Sequence, residues 1–151
     1  MTDFAAVINP ITSYASASGL FNAVNGHEPK NAPSQGLTAA VWVQRIIPLP
    51  GRSALNATTG LLEIMMRLYR PFLFEPPDAI DPDLMAAVDV MLTAFSGDFD
   101  LGGNVSHIDL LGAYSNGLWA QAGYLNQDSK IYRVMDISIP VVINDLWTQV
   151  A

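Results

Sequence analysis

The clearest alternation of apolar and polar residues lies in the first half of the chain. It predicts two extended segments, Leu37–Ile47 and Thr58–Phe74. In the second segment every other residue is apolar, which is typical of a strand with one buried face. Leu, Glu, Met and Arg also favour helices, but Thr58-Thr59-Gly60 is a poor helix start, and the two-residue period favours a strand. The apolar face consists of Leu62, Ile64, Met66 and Leu68, and the opposite face of Leu61, Glu63, Met65, Arg67 and Tyr69.

A long arm, Pro48–Ala57, connects these two segments and contains two prolines and a glycine. A two-residue turn would close a hairpin more directly. We therefore predict that the arm reaches towards a neighbouring subunit, and a mobile surface loop is the alternative. The candidate interface residues in the arm are Leu49, Arg52, Leu55 and Asn56.

The first helix is predicted to begin at Asn9-Pro10, with Asn9 as the N-cap and Pro10 in the first turn. Gly26 is predicted to end it, and residues 2–8 are predicted to form a separate short turn. A loop rich in proline follows over residues 27–36. The apolar stripe of this helix is Ile11, Tyr14, Ser18, Phe21 and Val24.

The second helix is predicted to begin at Asp81-Pro82-Asp83, with Asp81 as the N-cap and Asp83 favoured by the positive end of the helix dipole. Gly97 is predicted to end it. The buried stripe is Leu84, Val88, Met91, Leu92 and Phe95.

The last third of the chain returns to extended patterns. Ile108 and Leu110 alternate with Asp109, and two further segments, Leu118–Leu125 and Lys130–Ile139, flank a turn at residues 126–129. Pro140 is predicted to end the last strand. After it, Asn144-Asp145 is predicted to cap a short terminal turn that contains Trp147.

These elements follow the order α-β-β-α-β-β. That order predicts an α+β fold, in which an antiparallel sheet built from two hairpins carries two main helices on one face. A doubly wound sheet does not fit, because helices and single strands do not alternate. The length of 151 residues and the lack of a linker or internal repeat predict one domain over residues 1–151.

The composition is apolar and poor in charge. Hydrophobic residues make up 50% of the chain and charged residues only 14%, against roughly 25% in an average globular protein. This indicates that neighbouring subunits cover part of the surface. A surface rich in Asn, Ser, Thr and Gln is the alternative.

The formal net charge is −7, and the chain has seven Lys and Arg residues. So few dispersed cations exclude tight phosphate binding, and the acidic balance would repel nucleic acid. There is no cysteine, so disulfides and thiolate metal sites are excluded. We expect neither a signal peptide nor a membrane-spanning segment.

The sequence shows no catalytic constellation. His27 and His107 lie far apart, so a zinc site is not indicated. Residues 98–109 partly match a calcium-binding loop, but position 5 is glycine and the following residues are extended, so a polar turn explains them better. Trp42, Trp119 and Trp147 are interpreted as core or interface anchors. We predict no catalytic, metal or cofactor site.

Several stretches, in their order along the chain, resemble the tail terminator (tail completion) proteins of long-tailed bacteriophages, and the resemblance covers nearly the whole sequence. These stretches are Gly26–Lys30, Ala40–Val43, Ala57–Gly60, Gly123–Leu125 and Tyr132–Asp145.

The resemblance implies an α+β structural subunit without enzymatic activity. It implies a hexameric ring that caps the head-proximal end of the tail tube in the virion and joins it to the neck. The implied partners are further copies of the chain, the tail tube protein and a neck or head-completion protein. DNA would pass through the lumen without specific binding, and the chain would be made in the host bacterial cytoplasm. Two alternatives remain: a neck or head-closure connector, and a small acidic enzyme or ligand-binding domain whose site is assembled only in three dimensions.

Overall fold

The computed structural model describes residues 2–28, 36–73 and 76–149. Most of the loop predicted over residues 27–36 and the predicted strand end at Phe74 lie outside this part of the chain. Two helices are present, α1 (Phe4–Ala17) and α2 (Ile80–Gly97). The strands are β1 (Ala23–Asn25), β2 (Thr38–Pro48), β3 (Ala57–Pro71), β4 (His107–Ile108), β5 (Trp119–Gln127) and β6 (Lys130–Thr148).

The strands form one sheet in the order β1-β2-β3-β6-β4, and β5 also pairs with β6. β1 runs parallel to β2, whereas the remaining pairs are antiparallel. The predicted α+β class and the order α-β-β-α-β-β are confirmed. The two predicted hairpins are β2-β3 and β5-β6, and the short strands β1 and β4 add to them.

The alternation in the central strand β3 is confirmed. Its apolar face packs against α1 and α2 in the main core, together with alternate residues of β2 and β6. On the opposite face Arg67 pairs with Asp136 (Nε to Oδ1, 2.5 Å), and its guanidinium carbon lies 5.2 Å from the Trp42 ring centroid. Both helices therefore lie on one face of the sheet, as predicted.

The predicted bounds of the first helix are wrong. α1 begins at Phe4, because the Asp3 carboxylate accepts a hydrogen bond from the Ala6 amide (3.3 Å) and acts as the N-cap. Pro10 lies inside the helix, where the packing of the buried Val7, Ile11 and Ala15 offsets the amide hydrogen bond that proline lacks.

The helix also ends earlier than predicted. Gly19, with φ of 72°, directly follows the C-cap residue Ser18 and adopts the left-handed conformation that commonly terminates helices. Because the helix has already ended, the residues just before Gly26 form β1, and Phe21 and Val24 contact the core from outside the helix.

The second helix matches the prediction in its buried stripe, which includes Leu84, Val88, Met91 and Phe95. Its start is different. A 3₁₀ turn precedes the helix, and the N-cap position is Ala79, so the predicted capping role of Asp81 is wrong. The Asp81 carboxylate instead pairs with Arg133 (3.0 Å), and Asp83 pairs with Arg70 (2.8 Å).

The predicted strand end at Pro140 is also wrong, since β6 continues through it to Thr148. Pro140 directs its carbonyl towards Asp109, whose amide donates to it at 2.8 Å. The amide and carbonyl of one strand residue point to the same side of the strand. On that side of β6, the pairing with β5 stops at Trp119–Ser138, two residues before Pro140. The proline therefore removes no bond from the β3-β6 ladder.

The predicted terminal turn at Asn144-Asp145 is replaced by an irregularity within β6. Between the pairs Gly60–Ile143 and Thr58–Trp147, β6 advances four residues while β3 advances two. Asp145 has φ of 50°, which accommodates the bulge. Within the described residues, neither helix is long and apolar enough to cross a membrane.

Candidate functional site

The arm between β2 and β3 folds back on the sheet. The Leu49 amide donates to the Thr59 carbonyl (2.8 Å), and the Ala54 amide donates to the Ala57 carbonyl (2.9 Å). The Ser53 hydroxyl donates to the Leu49 carbonyl (2.8 Å) and accepts from the Thr59 amide (3.2 Å). The arm is therefore held in a defined position against the start of β3.

The predicted contact residues in the arm have different environments. Leu49 is buried with Leu61 and Val142 on the face of the sheet opposite the helices. Leu49, predicted as an interface residue, thus packs within its own subunit. Leu55, in contrast, is 98% exposed, and the neighbouring Asn56 is exposed as well. Leu49 supports the fold, whereas Leu55 remains free to contact a partner.

Arg52 differs from the other described arginines in its partners. Within the described residues, four arginines each form an ion pair with a carboxylate of the same subunit, namely Arg45, Arg67, Arg70 and Arg133. The contacts of Arg52 are neutral: Nη2 donates to Asn144 Oδ1 (3.1 Å), and its guanidinium carbon lies 5.7 Å from the Tyr114 ring centroid. Its positive charge is therefore available to a carboxylate on another chain.

The Tyr114 contact joins the arm to a second loop, residues 110–118, which follows β4. The Leu118 amide donates to the Leu110 carbonyl (3.1 Å) and closes this loop. Gly112 and Gly117 have φ of 84° and 83°, and a Cβ atom at either would lie within 3.0 Å of the loop's own backbone. Only glycine fits these two positions.

Asp109 anchors the same loop from below. This buried carboxylate accepts from the amides of Ala113 (2.7 Å) and Tyr114 (2.8 Å) and from the Ser115 hydroxyl (2.8 Å). Burial acts to raise the pKa of Asp109, but the hydrogen bonds outweigh burial and hold the pKa below its ordinary value. The anchor is thus a carboxylate at neutral pH.

The anchored loop presents Leu111, which is 99% exposed. The buried carboxylate and the two required glycines fix the position of this exposed leucine on the surface. We call the arm and this loop together the arm end. Its exposed or partly exposed residues include Arg52, Leu55, Asn56, Leu111 and Tyr114. Leu111 and Tyr114 have no periodic signature in the sequence; the closely spaced Gly112 and Gly117 are the one local signal of a constrained loop there.

The opposite end of the sheet also carries apolar side chains. Phe72 and Tyr124 form an edge-to-face pair with ring centroids 6.0 Å apart. The guanidinium carbon of Arg133 lies 4.6 Å from the centroid of the Tyr124 ring. Leu73 and Ile131 are exposed beside them. A groove of about 440 Å³ lies at this end, lined by Pro71, Phe72, Leu73, Ser129, Lys130, Ile131 and Tyr132.

The residues considered for metal binding serve other contacts. Asp98 accepts from the Tyr14 hydroxyl and from the Gly102 amide (2.9 Å), and the hydrogen bond from Tyr14 is the main cause that lowers the pKa of Asp98. His107 Nδ1 lies 3.0 Å from the Ser106 hydroxyl, and His27 is exposed. Within the described part of the chain, no three His, Cys, Asp or Glu side chains form a group able to hold a metal ion.

Comparisons with known proteins give a match in structure and none in sequence. No family model matches the chain, and no curated protein matches it. Among solved structures, the chain is similar to the sheath/tube terminator of the extracellular contractile injection system PVC in its extended state. The TM-score is 0.52 at 13% identity, over 99% of this chain and 59% of the other, so this chain spans less than two thirds of that protein. The likeness shows a terminator-like fold.

Proposed function

We propose that this protein is a tail terminator, a non-enzymatic structural subunit that caps the end of a tail tube. The observation that carries the proposal is the fold similarity to a sheath/tube terminator over 99% of the chain. The stretches that resemble phage tail terminators span nearly the same length and support it independently. The similar solved structure belongs to a contractile injection system, whereas the resembling stretches are those of phage tail proteins. Both comparisons have in common a protein that terminates a tube.

In the finer form of the proposal, the chain is a single-domain subunit of a long-tailed bacteriophage of the siphovirus type. Six copies form a ring at the head-proximal end of the tail and join the tube to the neck protein. The low charged fraction of 14% suits extensive contact between subunits. The net charge of −7 suits a conduit that DNA passes without binding.

The arm end is the contact surface in this proposal. Leu55 and Leu111 supply apolar anchors, and Arg52 supplies a positive charge for a carboxylate on the adjacent subunit or on the tail tube protein. Asn56 lies beside Leu55 at the tip of the arm. Leu49 contributes indirectly, because its burial fixes the position of the arm.

Removal of the chain tests the capping role. An uncapped tube stays open to further addition of tube subunits, so particles assembled without this chain should carry tubes of variable and greater length, and should lack heads on their tails. Supplying the chain in trans should restore tubes of uniform length. Tubes of normal length joined to heads in its absence would contradict the proposal.

The double variant Arg52→Ala with Leu55→Ser tests the arm end. We expect an unchanged melting temperature with impaired ring formation or impaired docking to the tube. The matched control is Lys130→Ala with Leu73→Ser, which removes one cation and one exposed leucine at the opposite end of the sheet. Lost rings would assign the arm to the subunit contact, and intact rings that fail to dock would assign it to the tube contact. Normal assembly would show that the arm is not the contact.

A further inference from the structure

The edge strand β5 lacks the features that normally prevent strand pairing between molecules. It is nine residues long, pairs with β6 on one side, and within the described residues has no strand on its other side. Its sequence, Trp-Ala-Gln-Ala-Gly-Tyr-Leu-Asn-Gln, contains neither a charge nor a proline. Natural edge strands usually carry charges, prolines or bulges, and a long neutral edge is a template for another strand.

The other lateral side of the same sheet also has a free edge. β1 covers only Thr38–Ala40 of β2, so the stretch Val41–Pro48 has no further strand beside it among the described residues. This edge carries a bulge at Gln44, between the pairs Val43–Ile64 and Arg45–Glu63. With the bulge, Arg45 and Pro48, this edge is partly protected against unselective strand pairing, whereas β5 is not.

The directions of the strands make the two edges compatible. β2, β3, β6 and β5 are successive antiparallel neighbours, so β5 runs antiparallel to β2. Within one subunit Ala122 lies level with Ala39, which β1 covers, so a second copy must be displaced along the strands by four residues, or about 14 Å. With that displacement its free β2 stretch meets the first copy's β5 edge in the antiparallel sense, and Ala122 lies opposite Val43. The free stretches are similar in length, and each carries an exposed apolar side chain: Tyr124 is 64% exposed and Val43 is 43% exposed.

We propose that the free edge of β5 pairs with the free edge of β2 in a second copy of this chain, so that the sheet continues from one subunit to the next. The two edges are different surfaces, so the contact is head-to-tail and generates a closed ring when the rotation between copies closes. That ring is the one on which the proposed terminator function depends. The occupant of the β5 edge is therefore another copy of the chain, not an extended peptide of the tube protein.

Cysteine crosslinking tests the pairing directly, since the native chain has no cysteine. The double variant Ala122→Cys with Val43→Cys places one thiol on each edge. Within one subunit the two edges are separated by three strand spacings, or about 14 Å. A bismaleimide shorter than this separation can therefore join them only between copies. We expect a ladder of crosslinked species that ends at the ring, both in concentrated protein and in isolated particles.

The single-cysteine variants decide between geometries. Neither should crosslink by itself in the proposed arrangement. A dimer from Ala122→Cys alone would show that two β5 edges meet each other, which would overturn the head-to-tail pairing. Rings that yield no crosslink from the double variant would also overturn it, while leaving the terminator function intact. Crosslinked rings that are absent from tails would support the pairing and contradict the function.

A charge variant supplies a second readout that does not depend on register. Ala122→Lys adds a charge to the exposed edge, and Ala17→Lys is the matched control at the exposed C-terminal residue of α1. We expect Ala122→Lys to raise the concentration needed for ring assembly by about tenfold or more, with the control unchanged. Equal assembly by both variants would contradict the proposal.

Discussion

Replacing Asp109 with asparagine should detach the loop at the arm end. The carboxylate accepts three hydrogen bonds, from the amides of Ala113 and Tyr114 and from the hydroxyl of Ser115. An asparagine side chain offers one acceptor oxygen and one NH₂ group. Whichever way this amide is turned, its NH₂ group faces at least one donor of the loop, so at least one buried hydrogen bond is lost.

The expected cost follows from the charge and burial of this group. A hydrogen bond to a charged group contributes about 1.5–3 kcal/mol, and an unsatisfied buried donor adds to the loss. We expect Asp109→Asn to lower the free energy of unfolding by about 2–4 kcal/mol. The control, Asp89→Asn, removes the same charge from an exposed position on α2 and should change stability by less than about 0.5 kcal/mol.

The difference should also depend on pH in a defined direction. The pKa of Asp109 is lowered in the folded state, so its stabilising contribution is fully present above the unfolded-state pKa of about 3.9. It is lost as the pH falls through the folded-state pKa, because the protonated carboxyl then resembles the asparagine amide. The gap between the wild type and Asp109→Asn should be constant between about pH 5 and 8 and should shrink below about pH 4.

Urea unfolding followed by tryptophan fluorescence measures this gap, and hydrogen exchange at the Ala113 and Tyr114 amides reports whether the loop opens locally. An Asp109→Asn variant as stable as Asp89→Asn, with unchanged exchange at both amides, would refute the anchoring role. So would a gap that stays constant down to pH 3.

Three further predictions follow from the same structure. Leu49→Ala should lower the free energy of unfolding by about 2–4 kcal/mol, because it leaves a cavity beside the sheet. The control Leu55→Ala should change it by less than about 0.5 kcal/mol. Equal effects in chemical denaturation would contradict the assignment of Leu49 to the core and Leu55 to the surface. Tyr14→Phe should raise the pKa of Asp98 towards its ordinary value, since it removes the hydrogen bond that joins α1 to the loop after α2. An unchanged NMR titration of Asp98 would be inconsistent with this bond. The protein should show negligible affinity for duplex DNA at physiological salt because of its net charge of −7; micromolar binding with a steep salt dependence in an anisotropy assay would contradict a passive conduit.

The elements that the sequence predicted correctly are those whose signal is local and periodic. The alternation around Glu63 and Arg67 defines both faces of β3, and the stripe from Leu84 to Phe95 defines α2, because burial on one side of a regular element repeats along the chain. The turn between β5 and β6 was also predicted from its polar residues. Its Asp128 and Ser129 both adopt positive φ, of 52° and 62°.

The errors arose where a strong local signal met a non-local partner. Asn9-Pro10 is a good helix start, but Asp3 caps the chain earlier and buried packing carries the helix through the proline. A proline such as Pro140 often ends a strand, but here its backbone faces the side of β6 on which the pairing with β5 has stopped. In both cases tertiary contacts override the local preference.

The candidate surface was only partly predictable for the same reason. The length of the arm indicated Leu55 and Arg52 as candidate contact residues. In the structure Leu55 is exposed, and Arg52 has only neutral contacts. The burial of Leu49 depends on Val142, which is distant in sequence. The exposure of Leu111 depends on the anchor that Asp109 provides. Neither contact has a periodic signature in the sequence.

The location of the chain on assembled particles tests the central claim most directly. Purified particles are labelled with a gold-conjugated antibody against this protein and imaged by electron microscopy, with an antibody against the tube protein as the reference. If the protein is a tail terminator, the label should lie at the head-proximal end of each tube, with none along its length. Label distributed along the tube, label confined to the head, or particles with no label would contradict the account.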